Sequence, residues 1–138
     1  MKKFLIHVIF PIIIGGLIYI LFREKNLLMF EWFTFLRLDF IVNFLRENLY
    51  KYRNYIPKSL LFSLPDALWV YSFTMFLSFY YENKLLLSVI FVGSLIVEIL
   101  QLWFVIGTFD FYDVLYMFIL FLVALYVINK KTNERRVR

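Results

Sequence analysis

Cysteine is absent and histidine occurs once, at His7. The first absence excludes disulfides, thiolate metal sites and cysteine nucleophiles. The second excludes paired imidazoles, so a metal here would be a hard cation held by carboxylates and carbonyls. No stretch is polar and long enough to make a separate soluble domain. The net charge is only +5 and the basic residues form no contiguous face, which argues against nucleic-acid binding. No nucleophile pattern and no cofactor motif is visible, and no cofactor is expected.

Apolar surface is what the chain has in excess. Of its 138 residues, 63% are hydrophobic and 22% aromatic, against about 45–50% apolar in an average globular chain. A domain this small has too little interior to hide that surface from water. Lipid is therefore part of its solvent, and the chain reads as one all-α, polytopic membrane domain. Four apolar segments, at about 4–22, 60–81, 85–106 and 113–128, approach the ~20 residues a helix needs to cross a bilayer. Glu82-Asn83-Lys84 and Gly107 to Tyr112 supply turns, and Phe109 and Phe111 extend the short last span. Lys2-Lys3 before an apolar run resembles a signal peptide, but the run is long and no small-x-small site follows, so it reads as a retained anchor. Gly15-Gly16 within it allows close helix approach.

Residues 27–58 carry too much charge for a fifth span. Burying Glu31, Arg37 and Asp39 costs roughly 7–10 kcal/mol, and a dozen apolar residues return only about 4–7 kcal/mol. Leu38, Ile41, Val42, Leu45, Leu49 and Tyr52 instead form one stripe at helical spacing, with Asn43, Arg46, Glu47, Lys51 and Asn54 opposite. The expectation is an interfacial amphipathic helix over 38–53, with Arg46, Lys51 and Arg53 on lipid phosphates. With both termini inside, eight basic residues (Lys2, Lys3, Lys84, Lys130, Lys131, Arg135, Arg136, Arg138) are cytoplasmic. Seven (Arg23, Lys25, Arg37, Arg46, Lys51, Arg53, Lys58) lie outside. The third loop has no Lys or Arg and the 129–138 tail is densely basic, which favours cytoplasmic termini in an inner, cytoplasmic membrane.

The polar residues inside the apolar segments collect on one side. Helical rise puts Asp66 about 10 Å below the start of the second span, and Gln101 and Glu98 about 8 and 12 Å below the end of the third. Asp110 and Asp113 stand at the mouth of the fourth. All five share the outer side, and His7 lies near the other. Ser63-Leu-Pro65-Asp66 also reads as an ordinary helix start with Ser63 as its cap. Asp110 or Asp113 serves equally as the cap of the last helix, and Gln101 as an interhelical bond worth on the order of 0.6 kcal/mol. Glu98 has no capping explanation, and a carboxylate at bilayer depth costs about 2.5–3.5 kcal/mol on insertion scales, which marks it as the centre of a site. Trp69, Trp103, Tyr80, Tyr81 and Tyr112 read as interfacial aromatic belts.

Glu98-Ile-Leu-Gln101-Leu, the short loop with Gly107, Phe109 and Asp110, and then Asp113-Val-Leu resemble the VanZ-like family of small integral membrane proteins. Its motif runs roughly E-x-x-Q, a G-R turn, then D-x-x-x-N-x-x-G. Thr108 stands in place of the family's Arg, Met117 and Leu120 in place of its Asn and Gly, and Val70 in place of a frequent His. The resemblance covers the third and fourth helices. It implies a ligand-binding role for Glu98, Gln101, Asp110 and Asp113, with Asp66 added from the second helix. It also implies a cell-envelope setting, such as tolerance of glycopeptide antibiotics or envelope stress.

Binding of an envelope lipid or glycan component, or of a cation, in an outward-facing acidic pocket ranks first among the functions these residues allow. A proton- or ion-coupled carrier ranks second, because so short a chain without a visible inverted repeat would need to form a homo-oligomer. A two-carboxylate enzyme ranks last, and an accessory subunit of a larger complex is the alternative to all three. Topology is checked by cysteine labelling in intact cells. An impermeant reagent should label Asn54→Cys and spare Thr132→Cys, and the reverse pattern overturns the orientation.

Overall fold

The structure is a computed structural model that describes residues 1–23, 25, 28–103 and 109–136, with backbone alone for 28, 29 and 131–136. The turn expected at Gly107 and Thr108, and the last residue of the basic tail, Arg138, lie outside the described residues. The described chain is helical throughout, without strands. Helix α1 spans Lys2–Phe22, α4 Lys58–Leu77 and α5 Lys84–Gln101. Helix α6 spans Phe111–Arg136, so the basic tail continues the last helix. These four are long and apolar enough to cross a membrane. Between α1 and α4 lie two shorter helices, α2 (Leu28–Phe35) and α3 (Asp39–Leu49), followed by a 3-10 segment over Tyr50–Tyr55.

Helix α4 is the hub. Its Ser63, Ala67, Ser72 and Thr74 are wholly buried, and such small side chains let neighbouring helices approach closely where the surrounding medium supplies no hydrophobic drive. Ala67 and Val70 of α4 pack with Met117 and Phe121 of α6, and Met75 with Val8 of α1 and Ala124 of α6. At the far end Leu61 meets Leu21 and Phe22 of α1, with Leu45 of α3 against them. Half of α4's apolar window is buried in protein, against 11% for α5, which packs on α4 and α6.

Local chemistry explains several boundaries. Pro11 lacks an N–H and crowds the carbonyl four residues back, and the chain widens into a π turn over Leu5–Ile9 just before it. In that turn His7 Nδ1 lies 2.7 Å from the Tyr71 hydroxyl of α4. Helix α2 is only eight residues, about 12 Å, and cannot cross a bilayer. It ends at Arg37, whose φ of 56° places it in the left-handed region. The Arg37 and Leu38 amides donate to the Thr34 and Phe33 carbonyls at 3.0 and 2.8 Å, the pairing of a Schellman cap. Asn83 caps α5 by accepting from the Leu85 amide at 2.9 Å.

Several expected boundaries move: α4 ends at Leu77 and not at 81, and α6 runs from Phe111 to Arg136 where 113–128 is expected. Helix α4 starts at Lys58, directly after Pro57, so Ser63, Pro65 and Asp66 lie inside the helix and not at its start. Helix α5 ends at Gln101 instead of 106, which puts Glu98 in its last turn.

Gly15 marks the closest approach of α1 to α4. A Cβ there would sit 3.0 Å from Trp69 Nε1 and 3.2 Å from the Pro65 carbonyl, whereas at Gly16 it would meet nothing. Trp69 is thus a packing partner of α1, although 40% of it stays exposed. Gly15→Leu should cost about 1–3 kcal/mol by overpacking, and Gly16→Leu should be close to neutral. Thermal unfolding of the two variants in detergent checks this, and equal shifts would refute the close contact.

Candidate functional site

The site is assembled from the end of the bundle where α1 and α5 stop and α4 and α6 begin. The last carbonyls of α1 have no intrahelical donors. Arg46 of α3 supplies them: its guanidinium donates to the Ile20 and Arg23 carbonyls at 2.7 and 2.8 Å. It lies over the rings of Phe30 and Tyr50, 5.3 and 4.7 Å from their centroids. Only 8% exposed, Arg46 is not the lipid contact expected from its place on the helical wheel. The inward face of α3 is Val42, Leu45 and Arg46, and Phe40, Ile41 and Phe44 point outward. Burial pushes the Arg46 guanidinium below its ordinary pKa, yet an arginine stays charged. Arg53 hydrogen-bonds the Tyr50 hydroxyl and lies over Phe62, while Lys51 is exposed beside Tyr52.

With its backbone so fixed, Arg23 turns its side chain across to α4. It donates to the Phe62 carbonyl at 3.0 Å, lies over the rings of Phe62 and Tyr19, and forms an ion pair with Asp66 at 3.9 Å. Sequence reasoning counted Arg23 only as a topology signal. The available clue was that a carboxylate inside an apolar helix needs a counter-charge, and Arg23 directly follows the first apolar run on the same side.

The carboxylates come from three helices. Asp66 on α4 lies within electrostatic reach of Arg23, Asp113 and Glu98. Asp110 caps α6, its Oδ1 accepting from the Tyr112 amide at 2.9 Å. Asp113, one turn in, is 8% exposed and has the Ser63 hydroxyl beside it. The Ser63 hydroxyl is placed to donate to this carboxylate, and neither Asp113 Oδ1 nor Ser63 Oγ has another partner among the described residues. Glu98, 6% exposed, accepts from the Asp110 amide at 3.3 Å, tying the end of α5 to the start of α6. A carboxylate in a helix's last turn opposes the helix dipole, and the Asp110 amide and the field of Arg23 offset that penalty. Asp66, Glu98, Asp110 and Asp113 are thus brought together. Gln101 joins Asp66 and Glu98 along the wall of an open groove of about 480 Å³ between α4 and α5. His7 takes no part in this wall.

Among the described residues no three acidic or imidazole side chains converge closely enough to hold a metal ion. The arrangement offers acceptors and one guanidinium to a larger group. No family model, no curated protein and no solved structure matches the chain.

Arg46→Met keeps the volume and removes both donors, leaving two helix-end carbonyls unsatisfied. It should destabilise the protein by about 2–3 kcal/mol, whereas Lys51→Met at the exposed site should change stability by less than about 0.5 kcal/mol. Unfolding in mixed micelles measures both, and a neutral Arg46→Met would sever the argument that Arg46 sets the position of Arg23.

Proposed function

We propose that the chain is a multi-pass membrane protein with cytoplasmic termini whose outward-facing acidic cluster binds a membrane-borne envelope component through a cationic or hydroxyl-bearing headgroup. The observation that carries this reading is the gathering of four carboxylates from three helices around one guanidinium, Arg23, with Asp66 and Glu98 opening onto a groove. Four acceptor carboxylates against one guanidinium leave the cluster short of donors. The excess of carboxylates selects a ligand rich in N–H or O–H donors. Absence of a chelating group among the described residues favours an organic headgroup over a bare ion.

The VanZ-like resemblance rests on Glu98, Gln101, Asp110 and Asp113, the residues that cluster here, and it supplies the envelope context of the proposal. The activity proposed is binding. Glu98→Gln tests it, because the amide keeps an oxygen for the Asp110 N–H and removes only the charge. The variant should lose growth under envelope stress or antibiotic challenge while membrane expression and thermal stability stay near wild type. Ile99→Ala, exposed on α5 and outside the groove lining, should be mild. Full function in Glu98→Gln would make the cluster structural and bring the accessory-subunit reading forward.

A further inference from the structure

The groove between α4 and α5 continues the acidic cluster inward and sideways. Its polar end is Asp66, Glu98 and Gln101, and beyond them the walls are apolar, with Phe73, Val89, Ile90 and Met117 among them. From Gln101 to Val89 the α5 wall runs twelve residues, about 18 Å. Half of a hydrocarbon core of ~30 Å is ~15 Å, so the groove is one leaflet deep. It opens laterally because α5 is the least enclosed of the four long helices.

Gly93 lines this groove in the middle of α5. Glycine weakens a helix interior, and here the sacrifice serves no helix contact, since a Cβ at Gly93 would meet nothing within 4 Å. The contrast with Gly15, which a neighbouring helix fills, is direct. The space left by Gly93 belongs to the groove and to whatever lies in it.

Resting on the binding reading above, we infer that this groove holds one hydrocarbon chain of an outer-leaflet aminophospholipid, with its ammonium at Asp66 and Glu98. The chain length matches one leaflet. The headgroup matches because two carboxylates, Asp66 and Glu98, stand at the polar end of the groove, while the nearby guanidinium of Arg23 pairs with only one of them, Asp66. A primary ammonium brings three N–H donors to those acceptors; a choline headgroup brings none and a glycerol headgroup brings no positive charge.

The test uses full-length, delipidated protein in detergent. It is titrated with phosphatidylethanolamine, phosphatidylcholine and phosphatidylglycerol of identical chains, with bound lipid read by native mass spectrometry. Wild type should bind the ethanolamine lipid about tenfold more tightly than either other, the scale of one charge-assisted contact. Glu98→Gln should erase that preference and keep a common residual affinity. Gly93→Leu, which improves helix propensity and is checked for an unchanged melting temperature, should weaken all three lipids alike. Equal binding of the three lipids by wild type overturns the headgroup assignment. Unchanged binding in Gly93→Leu, or a dimer that excludes lipid, overturns the chain assignment. If Gly93→Leu binds normally while Glu98→Gln still loses the cellular phenotype, the acidic-cluster reading survives and the groove does not. If Glu98→Gln keeps the phenotype although wild type prefers the ethanolamine lipid, the lipid is a structural one and the cluster reading falls.

Discussion

The Arg46 guanidinium on the end of α1 is the contact from which the rest of the site follows. A helix that stops in an apolar setting leaves carbonyls that must find donors, and one buried side chain answers two of them. Fixing the Arg23 carbonyl fixes where Arg23 starts, and its side chain then reaches the Phe62 carbonyl and Asp66 on α4. Asp66 faces Glu98 and Asp113 from the other two helices. A charge on the short helix α3 in this way helps to set, through backbone and one ion pair, the polar end of the bundle.

Other helix ends at that pole are settled by charged or polar groups of their neighbours. Asp110 closes the start of α6 with its side chain and offers its own amide to Glu98 at the end of α5. The helix dipole favours Asp113 where it stands and disfavours Glu98, so the two carboxylates are not equivalent. Asp113 is at home in the fold, whereas Glu98 is held there by its partners.

Length and apolarity made the four long helices legible, because crossing a bilayer is a demand on composition that few other constraints mimic. The gathering of Asp66, Glu98, Asp110 and Asp113 at one pole was legible for the same reason: alternating helices fix which ends are neighbours. Boundaries were harder. Ser63-Leu-Pro65-Asp66 has the residues of a helix start, but packing against α1 and α6 carries the helix back to Lys58 in spite of Pro65. Helix α2 escaped notice because its charges argue against a span, and that argument is silent on an eight-residue helix. Arg46 was placed on the wrong face since a helical wheel counts a guanidinium as solvent-seeking, while here its donors are matched by carbonyls on another element. Arg23 was passed over because ion pairs between distant segments leave no periodic trace.

The central place of α4 has a consequence for how the chain is made. Of the four long helices α4 is the least apolar, and it is the most enclosed. Its main partners are α1, which precedes it, and α6, which is separated from it by all of α5. During synthesis α4 therefore emerges before half of its eventual surroundings exist. Helix α5, more apolar than α4 and little enclosed, needs few of the contacts that α4 waits for. The side of α4 that Met117, Phe121 and Ala124 cover stays open until the last helix is made.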